Sequence, residues 1–224
     1  MFQDAVTSFN QMFEKPFRGV LWKTIGLTLL LFVAVFAAGF KLLEYFSADF
    51  AAWIVAAAGI FAALIYLVAC AFLFPPVTAL VASLYLDDVA DIVEKQDYPA
   101  DPPGKPMPTG EAIVQGLRFM LIVIGVNLLV LLVIWLPGVN AAAFFVANGY
   151  LLGREYFELA ASRFRRRDDV KAFRKQHGGT VFMAGMVIAL FVAIPILNLM
   201  TPMFATTFMV HTHKRLSGSR PLEA

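Results

Sequence analysis

Residues 119–153 contain no Asp, Glu, Lys or Arg, and Pro137-Gly138 and Asn140 interrupt the run near its middle. An α-helix rises about 1.5 Å per residue and needs about 20 apolar residues to cross a bilayer, so two crossings and a turn need at least about 42. These 35 residues are too many for one crossing and too few for two. The geometry that fits is a helical hairpin that enters a membrane, turns at depth and leaves by the face it entered. Residues 178–210 pose the same problem, with 33 residues free of Asp, Glu, Lys and Arg, broken by Pro195 and Asn198. The pattern Pro-x-x-Asn therefore occurs twice, 58 residues apart.

Irregular backbone at membrane depth frees N–H and C=O groups, which are tolerated only where protein or a water-filled cavity satisfies them. Asn140 and Asn198 are suited to supply such bonds. Paired apolar segments interrupted by Pro also point to a transport site. Pro137, Asn140, Pro195 and Asn198 are thus the candidate pathway residues, and the competing reading is a pair of Pro-kinked hairpins that enclose no pathway.

Composition agrees with a membrane protein. Hydrophobic residues make up 60% of the chain, charged residues 15%, and the mean hydropathy is +0.74, whereas soluble domains carry about 25% charged residues. A length of 224 residues accommodates one membrane domain without a separate soluble catalytic one. The single cysteine, Cys70, excludes an intramolecular disulfide. Charge placement sets the orientation. Residues 163–177 carry seven Lys/Arg against Asp168 and Asp169, and Lys/Arg-rich short loops stay cytoplasmic. Lys15, Arg18 and Lys23 near the start, and Lys214, Arg215 and Arg220 near the end, place both termini on that same side. Topology alone explains the basic cluster, so no nucleic-acid partner is expected.

In chain order, residues 1–14 lack the features of a signal peptide, while Phe2, Val6, Phe9 and Phe13 recur at helical spacing and predict an amphipathic helix at the interface. Spanning helices are expected over 20–46 and 51–74. Residues 77–118 read as a cytoplasmic amphipathic helix followed by a Pro-rich loop, because 99–108 hold five prolines and a glycine. The first broken hairpin occupies 119–157, the basic loop 158–177 and the second hairpin 178–212. The fold class is therefore all-α: two full transmembrane helices, two Pro-broken hemi-penetrating hairpins and interfacial helices.

No catalytic constellation is present. The chain lacks Gly-x-Ser-x-Gly, a phosphate loop, a dinucleotide glycine pattern and His-Glu-x-x-His, so no enzyme activity, cofactor or metal is expected. His211 and His213 read as polar residues at the interface. Arg18-Gly19 has a case as an anion site: a helix N-terminus exposes unpaired N–H groups, Gly19 permits close approach and Arg18 supplies a charged donor. The alternative is that Arg18 and Lys23 snorkel to the interface as positive-inside anchors. Glu155 and Glu158, beside Arg154 where the first hairpin leaves the membrane, are either titrating groups for proton linkage or members of an ion-paired helix end.

Leu136-Pro-Gly-Val-Asn-Ala, Ala193-Ile-Pro-Ile-Leu-Asn-Leu-Met-Thr-Pro202 and the basic loop between them resemble the CysZ family of bacterial inner-membrane sulfate permeases, within the wider etoposide-induced-protein domain family. The resemblance follows segment order through most of the chain. It implies uptake of sulfate for cysteine synthesis, homo-oligomeric assembly and a sulfate site near the start of the first spanning helix, within a Pro-Gly-x-Arg-Arg-like stretch. The matching positions here are Phe17, Arg18, Gly19 and Val20 after Pro16, which keep one arginine. Importing a divalent anion against about 100 mV, interior negative, costs about 4.6 kcal/mol. Rapid consumption or co-transport of protons would offset that cost. A non-transporting scaffold, whose basic loop recruits a cytoplasmic partner, is the rival reading.

Overall fold

Long apolar runs and helical spacing leave little period-two alternation to build strands, and all regular structure among the described residues is helical. The computed structural model describes residues 1–47, 59–69, 77, 80, 81, 84–132, 139–198 and 200–219. Pro137 and parts of the 51–74 segment lie outside them. The helices are α1 (Phe2–Gln11), α2 (Lys15–Ser47), α3 (Gly59–Ala69), α4 (Leu86–Asp97), α5 (Thr109–Leu132), α6 (Val139–Ser162), α7 (Arg167–Gln176), α8 (Gly178–Ala193), the single turn α9 (Pro195–Asn198) and α10 (Thr201–Leu216).

Pro16 falls in the first turn of α2, where its missing N–H would have had no helical partner. Phe17, Val20, Thr24 and Thr28 form one buried stripe, while Trp22 and most apolar residues beyond Thr28 are exposed. Only the foot of α2 is therefore packed against the core. Lys15–Leu42 is long and apolar enough to cross a membrane. Farther along, the Tyr66 hydroxyl donates to the Phe32 carbonyl at 2.6 Å and ties α3 to α2.

The core surrounds α10, in which every residue from Thr201 to Lys214 is buried. Helices α1, α4, α6 and α8 cover it. Phe204 stacks on Phe191 of α8 at 3.8 Å, and Phe208, Met209 and Val210 complete the apolar interior. Because α10 carries Thr, His and Lys, burying it demands polar partners. The Thr206 hydroxyl turns back to the Pro202 carbonyl at 2.8 Å, and Lys214 reaches Asp101 at 2.8 Å while lying over the Phe164 ring at 4.2 Å.

Helices α6 and α8 run antiparallel and meet through glycines. A Cβ at Gly149 would lie 2.6 Å from Met186 Sδ, and one at Gly153 would lie 2.5 Å from the Val181 carbonyl oxygen. One at Gly185 would overlap the Gly149 carbonyl oxygen and sit 2.7 Å from Gly153 Cα. Small residues four apart let helix backbones approach this closely. Continued along both helices, this register sets the Val139 end of α6 beside the break after Ala193 in α8.

The Pro-rich loop is held by carboxylates. Glu94 accepts the Gly104 N–H at 2.8 Å, Asp87 accepts the Met107 N–H at 2.8 Å, and the Arg163 carbonyl accepts the Lys105 N–H at 2.8 Å. Arg163 joins these elements by pairing with Glu94 at 2.6 Å and with Asp87. The sequence assigns Arg163 to a solvated basic loop, yet its side chain is buried. Its partners lie 69 and 76 residues earlier.

Candidate functional site

The second half of α6 positions two faces at once. Tyr156 and Phe157 enter the core, while Arg154 and Glu158, one helical turn apart, pair at 3.3 Å on the outer side. That side borders a cleft of about 940 Å³ between the start of α5, the Pro-rich loop, the end of α6 and the start of α7. Lys105, Arg118, Arg154, Arg165 and Lys171 line it together with Glu111, Glu155 and Glu158, five cations against three carboxylates. The excess positive charge suits an anion.

Glu158 and Arg165 tie this wall to neighbouring elements. Glu158 also pairs with Arg174 of α7 at 2.8 Å. Arg165 lies over the Phe173 ring at 3.9 Å, and its Nε and Nη2 donate to His213 Nε2 at 3.4 Å and Ser217 Oγ at 3.3 Å. Burial, with Arg165 and Lys214 adding to it, holds the His213 pKa down at about 4, so the ring is neutral and accepts at Nε2. The Phe164 ring stacks on it at 5.3 Å. The cleft wall is thereby connected to the C-terminal end of α10.

His211 belongs to a separate buried chain. Gln11 donates from Nε2 to Asp97 at 2.7 Å, so its Oε1 is left to accept from His211 Nε2 at 3.0 Å. His211 Nδ1 then accepts from the Tyr98 hydroxyl at 2.9 Å. Burial, followed by Asp4, Asp97 and Asp101, raises the Tyr98 pKa above its ordinary value and keeps that donor protonated. Neither histidine is the interfacial polar residue that the sequence suggests: both are buried and fasten α10 to its neighbours. Among the described residues no group of His, Cys, Asp or Glu has the placement to hold a metal ion.

The residues at the start of α2 do not converge. Phe17 and Val20 are buried, whereas Arg18 and Gly19 are exposed. Arg18 Nε donates to the Phe13 carbonyl at 2.7 Å, and its own N–H is taken by Glu14 at 3.1 Å. Nothing lies within 4 Å of a Cβ placed at Gly19, so the exposed side of this turn is open. Arg18 does not line the cleft.

Asn140 stands in the first turn of α6, about 21 Å along the helix from Arg154. Pro195 opens α9 and Asn198 closes it. The α6–α8 register brings the Asn140 and Pro195–Asn198 segments to one end of the helix pair and leaves the charged cleft at the other. Beside the break the Asn198 N–H meets the Ile194 carbonyl at 2.8 Å and the Met200 N–H that of Leu197 at 2.9 Å. The Thr201 hydroxyl, which the sequence pattern gave no reason to single out, reaches the Leu197 carbonyl at 3.3 Å.

The family described as sulfate transporter CysZ/etoposide-induced protein 2.4 matches residues 5–202. The chain belongs to this family. The match to the CysZ family runs from α1 through both Pro-x-x-Asn breaks into the start of α10, so α6, α8 and the residues of the cleft all fall inside it. The CysZ family is one of transporters rather than enzymes. No curated protein matches the chain.

Proposed function

We propose that this protein carries sulfate or a related small oxyanion into the bacterial cytoplasm across the inner membrane, supplying sulfur for cysteine synthesis. The observation that carries the reading is the arrangement of the α6–α8 pair, with the start of α6 at Asn140 and the Pro195–Asn198 turn at one end and a cation-rich cleft at the other. An anion gathered at the cleft needs a route past the apolar layer, and the two turns are where that layer is interrupted.

Helix lengths support hairpins that enter without crossing. As 24-residue helices, α5 and α6 could each reach across about 30 Å. Their uncharged portions, 119–132 and 139–153, cover only about 21–22 Å, and the 16-residue α8 covers about 24 Å. Helix α7 lies at 87° to α8, as suits a basic helix along the headgroup plane with α8 descending from it. Phe2, Val6 and Phe9 on α1, and Phe13 just beyond it, are exposed and suit the same plane. In this reading α2 and the 51–74 segment span the bilayer, and both termini are cytoplasmic.

Arg18, with Phe17, Gly19 and Val20 shaping its turn, offers the anion a first contact apart from the cleft, and Pro137, Asn140, Pro195 and Asn198 mark the pathway. One hairpin pair has too little surface to enclose a hydrated anion, so the pathway is completed in a homo-oligomer embedded in lipid. Glu155 and Glu158 beside Arg154 are the groups placed to link flux to protons.

Replacing Arg18 by alanine removes a charged donor and is expected to weaken sulfate binding about tenfold or more, while Lys23→Ala changes it little. Equilibrium binding of radiolabelled sulfate to the purified protein checks this. Equal affinity in the Arg18 variant and the parent would place the first contact elsewhere.

A further inference from the structure

Glu158 holds two arginines on one carboxylate oxygen. Arg154 Nε is 3.3 Å and Arg174 Nε 2.8 Å from Glu158 Oε1. The second contact is close without being aligned, for Arg174 Nε is buried and makes no hydrogen bond of acceptable angle. Two guanidinium groups offer ten N–H donors, and a single carboxylate has about four lone-pair positions to meet them. Arg154 and Glu158 line a cleft already rich in cations and Arg174 reaches Glu158 from α7, so one carboxylate at the cleft wall is shared by two guanidinium groups with surplus donors.

We propose that Glu158 is an internal stand-in for a tetrahedral dianionic oxyanion, which on entering the cleft takes Arg154 and Arg174 from it. This deepens the transport reading above and rests on it. A dianion brings twice the charge of the carboxylate and four oxygens for the planar arginine forks, which favour such bidentate contacts. Chloride has neither. The two arginines contain no acceptor, so once Glu158 has turned aside they match sulfate, which is fully deprotonated, better than hydrogen phosphate, which carries a proton to place. Arg154 and Glu158 ride on α6 and Arg174 on α7, so the exchange also alters the tie between those helices.

The test is equilibrium binding of radiolabelled sulfate to the full chain in detergent, with hydrogen phosphate and chloride as competitors and size-exclusion chromatography as the check on folding. Glu158→Gln removes the competing charge and is expected to bind sulfate about tenfold more tightly, whereas Arg154→Gln binds it about tenfold more weakly. Hydrogen phosphate should compete less well than sulfate in the parent, and chloride less again. Should Glu158→Gln aggregate, Glu158→Asp draws the carboxylate back by one methylene and is expected to shift affinity in the same direction. Saturable binding by the parent with unchanged or weaker binding by both folded Glu158 variants overturns this inference alone. A parent that binds no sulfate overturns the transport reading as well.

Discussion

Gly185→Leu is expected to cost about 3 kcal/mol or more, because every atom that the new side chain meets first is backbone. A Cβ at this position overlaps the Gly149 carbonyl oxygen and lies 2.7 Å from both Cα and N of Gly153. A flexible side chain could rotate away from such a contact, but a helix backbone cannot, so α6 and α8 must separate. Separation withdraws cover from Phe157, Ile188 and Phe204, which are fully buried. Unfolding in detergent followed by tryptophan fluorescence measures the loss. Gly26→Ala is the control: nothing lies within 4 Å of its Cβ position, and exchanging Gly for Ala within a helix is neutral to favourable there. A Gly185→Leu protein as stable as the parent would contradict the close crossing.

Arg163→Met is expected to cost about 3–5 kcal/mol, since it strands the buried Glu94 carboxylate without its cation. Asp87 loses the same partner, and the two carboxylates that fix Gly104 and Met107 are then left to repel each other. The Pro-rich loop should loosen first, so the Gly104 and Met107 amides, which Glu94 and Asp87 accept, should exchange hydrogen faster than in the parent. Combining Arg163→Met with Glu94→Gln removes the stranded charge and should recover part of the loss, so the double variant is less damaged than the sum of the single ones. Additive effects would mean that the two side chains stabilise the protein independently.

The features legible in the sequence were those set by short-range chemistry. Pro195 and Asn198 interrupt an apolar run, and helix propensity and the missing proline N–H act within one turn, so the break between α8 and α10 could be read directly. Of the two readings of Glu155 and Glu158, the ion-paired helix end is met at Glu158, which pairs with Arg154 one turn away at 3.3 Å. The importance of α10 could not be read this way. The sequence reads it as the second arm of a membrane hairpin ending in interfacial histidines, and its burial inside the helix cluster depends on Gln11, Tyr98 and Asp101, residues 113 to 200 positions away. Arg163 looks like one more member of a basic loop until the fold brings Glu94 to it. The cleft was equally hidden, because its walls come from two stretches, 105–118 and 154–171, that only the fold brings together.

The account depends on movement of an oxyanion through this protein, which radiolabelled sulfate flux into proteoliposomes containing only the purified chain measures directly. Saturable uptake is expected, lowered in Asn140→Leu and Asn198→Leu, with the double variant less than additive if the two turns serve one pathway. Parent vesicles, holding folded oligomeric protein, that take up no more sulfate than protein-free vesicles would contradict transport and leave a membrane scaffold as the better description.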